Sequence, residues 1–585
     1  MKHAKCYVKG FPRPQFVRKG YDLLNGEWEF AFDEENVGER EAWYLLPSLP
    51  LRINVPYAYQ SKRSGIGSDR FCENVWYRRT VSVQKKEGER VLLHFDGCDY
   101  RAKVWFNGAY LGDHEGGYSR FTFDVTDKIG RENVLVVKCE DGKDVCQPRG
   151  KQRWLDRSVS CFYTETTGIW KSVWLEYVGE RYLEKVDQEI LFETDSVKFV
   201  FHVNRPKPGL KFRVEAEFEG EKLTFAEQDA SDGYGEVTLR LVNKNRILPV
   251  KYWSPATPHL FDLRYVLTDG DAVVDEVGSY AALVRYDAVG GSVRLNYSPS
   301  FYLKMALDQG YFPEGGLTGD EEELERDVRL MKELGFNGVR KHEKIEDERF
   351  CYFCDVYGLV LWCEMPSFYS FTQKSVERFT RQWLEILGQY RNFPCIMAYV
   401  PFNESWGIMH VSENRREQQF TQSVYYLTKT LCPDRFVISN DGWDHTKSDL
   451  LTLHNYVGSG EGILDAYGDL EAYVKGEHVK DRHTRSAYAK GFSYAGQPVL
   501  ITECVGVTFA SDVSAGGWGY GKAADGEREF LAKLQSILGG IRSLRECGGY
   551  CITQLCDVMQ EKNGLLTEER VPKAPLEKIR AVIEN

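Results

Sequence analysis

No stretch of the 585 residues approaches the roughly 18 uninterrupted apolar residues that a membrane-spanning helix needs. Basic residues are not in excess either. The chain has 75 Lys+Arg against 87 Asp+Glu, a formal charge of −12, which leaves no electrostatic footprint for nucleic acid or an anionic membrane surface. Cysteine is present without a pattern: fifteen is an odd number, none falls between residues 162 and 350, and Cys351-x-x-Cys354 has no second pair at zinc-finger spacing. A disulfide framework is therefore not expected, and the two thiols of that motif, on one face of an expected helix, read as buried and reduced. Low-complexity segments and internal repeats are missing. Lysines at positions 2, 5 and 9 stand where a signal peptide needs an apolar run, so a cytoplasmic location is the default expectation.

Apolar material is plentiful. Hydrophobic residues at 42% and aromatics at 14% exclude a disordered chain, and the length exceeds what one core can serve, so two to four domains are expected. From about residue 20 to 178 short alternating runs are cut by Gly and Asn. Val91–Phe95 and Ala102–Phe106 read as strands, and Asn107-Gly108 after the second is a hairpin turn. A β jelly roll over residues 1–179 is the reading. Residues 180–285 continue in the same style at the size of an immunoglobulin-like β-sandwich, which must hold by packing because it lacks a cysteine pair.

After residue 296 the period changes. Leu324, Val328, Met331 and Leu334 share one face of a helix, with Thr318 and Glu321 as a candidate capping box and Gly335 as its stop. Eight short apolar strands follow one another between helices, beginning at 301, 336, 359, 396, 436, 450, 499 and 550. That alternation over residues 286–585 predicts a (β/α)8 TIM barrel, whose chemistry lies at the C-terminal ends of its strands. Those ends carry Asp308, Arg340 with His342, Glu364, Asn403-Glu404, His454-Asn-Tyr456, Glu503 and Gln554. Two carboxylates ending apolar strands four and seven carry a desolvation cost if idle, so they point to acid/base or nucleophilic work. The alternative is a pair of buried salt bridges, to Arg340 and a lysine. Gly516–Lys522 imitates a phosphate-binding loop, but Ala523 replaces the hydroxyl residue and the strand is too distant; an aromatic lid beside the site is the better reading.

Asn403-Glu404-Ser-Trp-Gly, Ile501-Thr-Glu503-Cys and Arg340-Lys-His342 resemble glycoside hydrolase family 2. So do Val104–Gly112 and Thr167–Leu175 upstream, Trp253–Leu260 at the end of the second domain, and Tyr390–Pro394 before strand four. The resemblance implies a retaining, exo-acting β-glycosidase with a carbohydrate substrate, without nucleic-acid or membrane partners, and with homo-oligomers common among such enzymes. It implies Glu404 as general acid/base and Glu503 as nucleophile. Asn403 would hold the 2-hydroxyl, Tyr456 would hydrogen-bond the nucleophile, and Asp308, Arg340 and His342 would serve sugar subsites. A barrel that has lost catalysis and only binds carbohydrate is the reading outside enzymes.

The departures from the family pattern matter. β-Galactosidases of the family hold magnesium with a Glu and a His just after strand three, and here Glu364-Met-Pro-Ser-Phe-Tyr-Ser370 has no His and no second carboxylate, so no metal or other cofactor is expected. Strand eight ends without the family's Trp, which leaves Trp518 as the candidate for sugar stacking. Where β-glucuronidases carry an Asn-x-Lys clamp for the uronate, this chain has Glu561 and Asn563. A glutamate there would repel a uronate, so β-galactoside is the expected substrate ahead of β-glucuronide, β-mannoside or an arabinoside.

Overall fold

The computed structural model describes residues 3–242, 249–476 and 485–585. The jelly roll is built from a six-stranded and a four-stranded antiparallel sheet. Trp28, Phe30, Tyr77, Leu93, Phe106 and Leu175 from the two inner faces form its core. Asn107 and Gly108 both adopt left-handed backbone, φ 51° and 76°, and join Arg101–Phe106 to Ala109–Glu115 as the Asn-Gly pair predicts. The sheets begin at Tyr21. Residues before it cross to the other domains: Ala4 N donates to the Tyr352 hydroxyl, and Val17 bridges to Gly278. The second domain packs a three-stranded on a four-stranded sheet around Phe199, Phe201, Phe212, Leu263 and Tyr265.

The barrel strands are β1 (Leu303–Asp308), β2 (Gly338–Lys341), β3 (Val360–Glu364), β4 (Ile396–Val400), β5 (Phe436–Val437), β6 (Leu451–His454), β7 (Val499–Val505) and β8 (Cys547–Thr553). Their order, β5-β4-β3-β2-β1-β8-β7-β6, is that of a barrel in which β1 pairs with β8. At the remaining seam Asp449 stands in for the ladder: Val437 N donates to its carboxylate and its own N–H donates to Val437 O, both at 2.9 Å. Near-continuous apolar runs suit parallel strands buried on both faces, and all eight expected strands are present.

Helix α1 (Glu321–Glu333) starts two residues later than Thr318 as cap would place it. Asp320 is the cap, with Glu323 reaching back to its N–H, because Thr318 spends its hydroxyl on Trp170 O at 2.7 Å. Gly335 follows at φ 91°. Helix α2 (Glu348–Tyr357) carries Cys351 and Cys354, both buried free thiols.

A long jelly-roll loop decides how the barrel mouth is walled. Residues 141–167 leave the sheet and cross to the barrel. Arg149 N and Gly150 N both donate to Ser367 O at 3.0 Å, and Tyr369 N donates to Val145 O at 2.8 Å. Gly150 sits at φ 61°, and a Cβ there would come within 2.3 Å of Glu343 O, so the approach needs glycine twice over. Lys151, Phe162 and Tyr163 are thereby delivered to the ends of the barrel strands.

Candidate active site

β4 runs out into Asn403-Glu404-Ser405, where the backbone turns sharply. Glu404 and Ser405 hold φ 50° and 62°, a conformation unfavourable for both residues. Neighbouring groups hold it in place: Glu404 N donates to Asp441 O and Ser405 N to Asn440 Oδ1, each at 2.9 Å. β6 carries a register shift between Leu453 and His454 that sets His454 opposite Glu503 on β7. His454 Nδ1 lies 2.9 Å from Glu404 Oε1 and 3.6 Å from Glu503 Oε1. One oxygen of each carboxylate and one His454 nitrogen all fall within 4.8 Å of one another. The two glutamates, 99 residues apart in sequence, thus face each other across one imidazole.

Their environments differ. Glu503 is almost fully buried; burial alone would raise its pKa, but the charges of His454 and Arg340 override it, and the carboxyl is held down at about 2. Arg340 Nη1 donates to Glu503 Oε1 at 2.8 Å, and the Tyr456 hydroxyl donates to Oε2. Glu404 is the more open of the pair, its side chain 21% exposed against 6% for Glu503. His454 is buried, which opposes its charge, yet Glu503, Asp441 and Glu404 push it up to about 10, so it is an imidazolium at neutral pH. Asp441, beyond the end of β5, completes the set. Its carboxylate accepts from the Thr502 hydroxyl at 2.7 Å and lies 2.9 Å from Arg340 Nε and 3.5 Å from His454 Nε2.

Several residues expected at sugar subsites are spent on this scaffold. Arg340 is fully buried; besides Glu503 and Asp441 it binds Glu364 at 2.7 Å and Asn403 Oδ1 at 2.7 Å. It therefore positions the nucleophile and Asn403, so the expected salt bridge and the expected catalytic carboxylate coexist at Glu503. His342 Nδ1 lies 2.9 Å from Glu364 Oε1. Asp308 is 0% exposed, with Lys341 on one oxygen at 2.6 Å and Gly310 N on the other at 2.9 Å. Asn403 keeps its Nδ2 without a protein partner among the described residues, as do the indole N–H groups of Trp406 and Trp443. Buried donors of this kind next to two carboxylates are what a polyhydroxylated ligand would satisfy.

The segment expected as an aromatic lid is strapped down. Trp518 N donates to Gln560 O, Lys562 N to Trp518 O, and Tyr520 N to Gly506 O, at 2.8–2.9 Å. Trp518 gives its indole N–H to Ser160 O at 3.1 Å, and it is Tyr520 that stacks on Tyr456, centroids 3.4 Å apart. Trp154, Phe162, Tyr369 and Trp406 form a second aromatic cluster, contributed jointly by the jelly-roll loop and the barrel. Glu561 is 2% exposed and points neither to solvent nor to a lysine: Tyr163 and Asn563 donate to its two oxygens, and Gln309 Nε2 lies 3.4 Å from one of them.

His342, Glu343 and Glu364 bring three potential metal-ligand atoms within 4.8 Å. They do not fit a divalent cation, because both Glu364 oxygens are already engaged by Arg340 Nε, His342 Nδ1 and Glu343 N. A bound ion would have to compete with a fully buried guanidinium. We predict that exhaustive chelation leaves kcat/KM on the best substrate within about twofold of the untreated protein; a large loss reversed by magnesium would show that these side chains rearrange around an ion.

Sequence reading passed over His454, Asp441 and Lys151 as site residues. His454 was visible at a strand end, but nothing local marks it as the bridge between two glutamates. Asp441 lies in a turn-rich stretch past β5, and Lys151 belongs to another domain.

Residues 21–176 match the family described as "Glycosyl hydrolases family 2, sugar binding domain". A β-galactosidase of Thermoanaerobacter pseudethanolicus is 26% identical over 402 residues, 65% of this chain and 50% of that protein, so the chain spans half of that relative's length. A β-glucuronidase of Bacteroides fragilis is 23% identical over 72% of this chain and 61% of its own. Among solved structures, the β-glucuronidase of Ruminococcus gnavus in complex with N1-substituted uronic isofagomine superposes with a TM-score of 0.77 at 19% identity, covering 100% of both chains. The family 2 β-galacturonidase of Eisenbergiella tayi bound to galacturonate gives 0.76 at 18%, covering 99% of each. Those two likenesses extend over all three domains and concern the fold. Residues 21–176 thus match the sugar-binding domain of glycoside hydrolase family 2, and the chain is similar to β-galactosidases and β-glucuronidases over about two thirds of its length.

Proposed function

We propose that this protein is a retaining, exo-acting β-glycosidase. The observation that carries the reading is the spacing and inequality of the two glutamates: an ionised Glu503 and a more open Glu404, with oxygens within 4.8 Å of each other around His454. Retaining enzymes need carboxyls about 5–5.5 Å apart, whereas inverting ones leave about 6.5–9.5 Å for a water. Glu503 attacks the anomeric carbon as Glu404 protonates the departing oxygen, which gives a glycosyl ester. Glu404 then removes a proton from water, and the water carbon–oxygen bond forms as the ester bond breaks. Arg340, His454 and Tyr456 hold the Glu503 carboxylate in place for attack. The jelly-roll loop across the mouth favours a terminal sugar over the interior of a chain.

The test is turnover of a panel of nitrophenyl β-glycosides with the product followed by proton NMR. The β-anomer should appear first; initial release of the α-anomer, or no turnover of any member, would overturn the proposal. A neutral β-galactoside remains the sugar favoured by Glu561 and Asn563 in place of a uronate clamp, and the Thermoanaerobacter relative carries that activity in its name. A second reading, a β-uronide, is favoured by a cation at the mouth, Lys151, and by the names of the structural neighbours.

A further inference from the structure

The segment before Tyr21 and all three domains meet around a cavity of about 460 Å³. Arg13 and Gln15 reach it from that segment, His94 and Glu176 from the jelly roll, and residues 182–187 from the second domain. Glu348, at the start of α2, and Gln389, in α3 (Gln373–Tyr390), complete the wall with Asn392. None of these residues belongs to the site around Glu404 and Glu503.

Five carboxylates line the cavity, and each is already engaged. Glu176 binds Arg18 at 2.9 Å and His94 at 3.2 Å; Glu348 lies 2.9 Å from Arg120 and accepts from Gln389 at 2.8 Å. Glu385 takes His114 and Ser119, Asp187 takes Lys185, and Glu184 takes Asn204. Arg18, Arg120 and Lys185 are thus ion-paired, and Arg13 is the cation left over. Among the described residues its guanidinium has no hydrogen-bond acceptor and no carboxylate within 4 Å; it lies over the ring of Phe16 at 4.1 Å. Burial and the charge of Arg120 push its pKa down to about 10, against the pull of Glu176 and Glu348, so at neutral pH it is an unpaired cation.

Hydrogen-bond donors are left over as well. Gln15 Nε2 donates to Asn392 O at 3.0 Å, Gln389 Nε2 to Glu348 at 2.8 Å, and Asn392 Nδ2 to Val186 O at 2.8 Å. Each amide nitrogen carries two hydrogens and spends one on the protein, so three are unspent along the wall.

We propose that this three-domain cavity binds a small hydroxylated monocarboxylate, with Arg13 anchoring the carboxylate and the three amides meeting the hydroxyls. A guanidinium presents two parallel N–H donors, which match the two oxygens of a carboxylate. One unpaired cation offsets one negative charge. A phosphate dianion would bring a second charge against Glu176 and Glu348, which are near enough to act on Arg13. Because every domain contributes to the wall, an occupied cavity favours the docked arrangement of all three and raises stability by mass action.

The test is calorimetry on the whole protein with lactate and gluconate, against lactamide and inorganic phosphate, in the wild type, Arg13→Gln and Arg13→Lys. At least one of the two carboxylates should bind the wild type with a Kd of about 1 mM or below, and about tenfold better than lactamide or phosphate. Arg13→Gln should weaken it by about tenfold or more, with Tm unchanged or raised, and Arg13→Lys should restore part of the loss. Hydrogen exchange should slow over residues 13–18, 182–188 and 385–392 when the carboxylate binds. Absence of saturable carboxylate binding, equally tight binding of lactamide or phosphate, or protection confined to the barrel mouth would each overturn the proposal, whether or not Arg13→Gln folds. Undiminished carboxylate binding by a folded Arg13→Gln would overturn it too. Turnover plays no part in these readouts, so failure of the glycosidase reading would leave this result standing.

Discussion

Replacing Glu503 by Gln should cost about 10⁵-fold or more in kcat on every substrate, whatever its leaving group. In the proposed mechanism this carboxylate makes the attack on the sugar, and an amide is not a nucleophile. Its pKa near 2 means that it is ionised throughout the range in which the protein would be assayed, so the acid limb of a pH–rate profile belongs to another group. The sign follows from the direction of the shift: a carboxyl lowered from 4.5 is charged above that value in the folded and unfolded chain alike, and loses its charge only as pH falls through about 2. A 2-deoxy-2-fluoro glycoside with a good leaving group should label Glu503 covalently, read by mass spectrometry of the digested protein. Label on any other residue, or more than about a hundredth of wild-type turnover in Glu503→Gln, would refute the assignment.

The barrel was legible in the sequence for a physical reason. Parallel strands covered on both faces must be apolar along their length, so runs such as Ile396–Val400 and Val499–Thr502 stand out, and a glutamate at the end of either is conspicuous. Asn107-Gly108 was legible because few residues tolerate positive φ in succession. What escaped depends on partners distant in the chain. Arg340 looked like a sugar ligand because a charged residue at a strand end has the same sequence signature whether it meets substrate or four protein groups. Asp308 was the same case, spent on Lys341. The cap of α1 moved from Thr318 to Asp320 because Trp170, in another domain, claims the Thr318 hydroxyl. Lys151 left no mark at all, since its meaning arises only where a jelly-roll loop meets the barrel mouth some 250 residues further along the chain. Local pattern carries the strands and their ends; the electrostatics of the site come from contacts between domains.

Glu404→Ala should behave differently from the loss of Glu503, and the contrast distinguishes the two roles. The first step needs a proton only when the leaving group is a poor one. For a dinitrophenyl glycoside, kcat/KM should therefore fall by less than about tenfold, while an alkyl glycoside or a disaccharide should lose about 10³–10⁴-fold. The second step loses its general base, so the glycosyl ester at Glu503 should accumulate and kcat on the activated substrate should drop with a pre-steady-state burst. Azide needs no deprotonation and fits the space left by the carboxylate; it should restore turnover and yield the β-glycosyl azide, with retained configuration. His454 is part of the same argument. Its Nδ1 sits 2.9 Å from Glu404 and 3.6 Å from Glu503, so in the alanine variant its charge remains directed at the nucleophile and should keep Glu503 ionised. Equal losses on activated and unactivated substrates, or an α-glycosyl azide, would mean that Glu404 is not the proton donor and that the roles drawn from the environments of the two glutamates are reversed or misplaced.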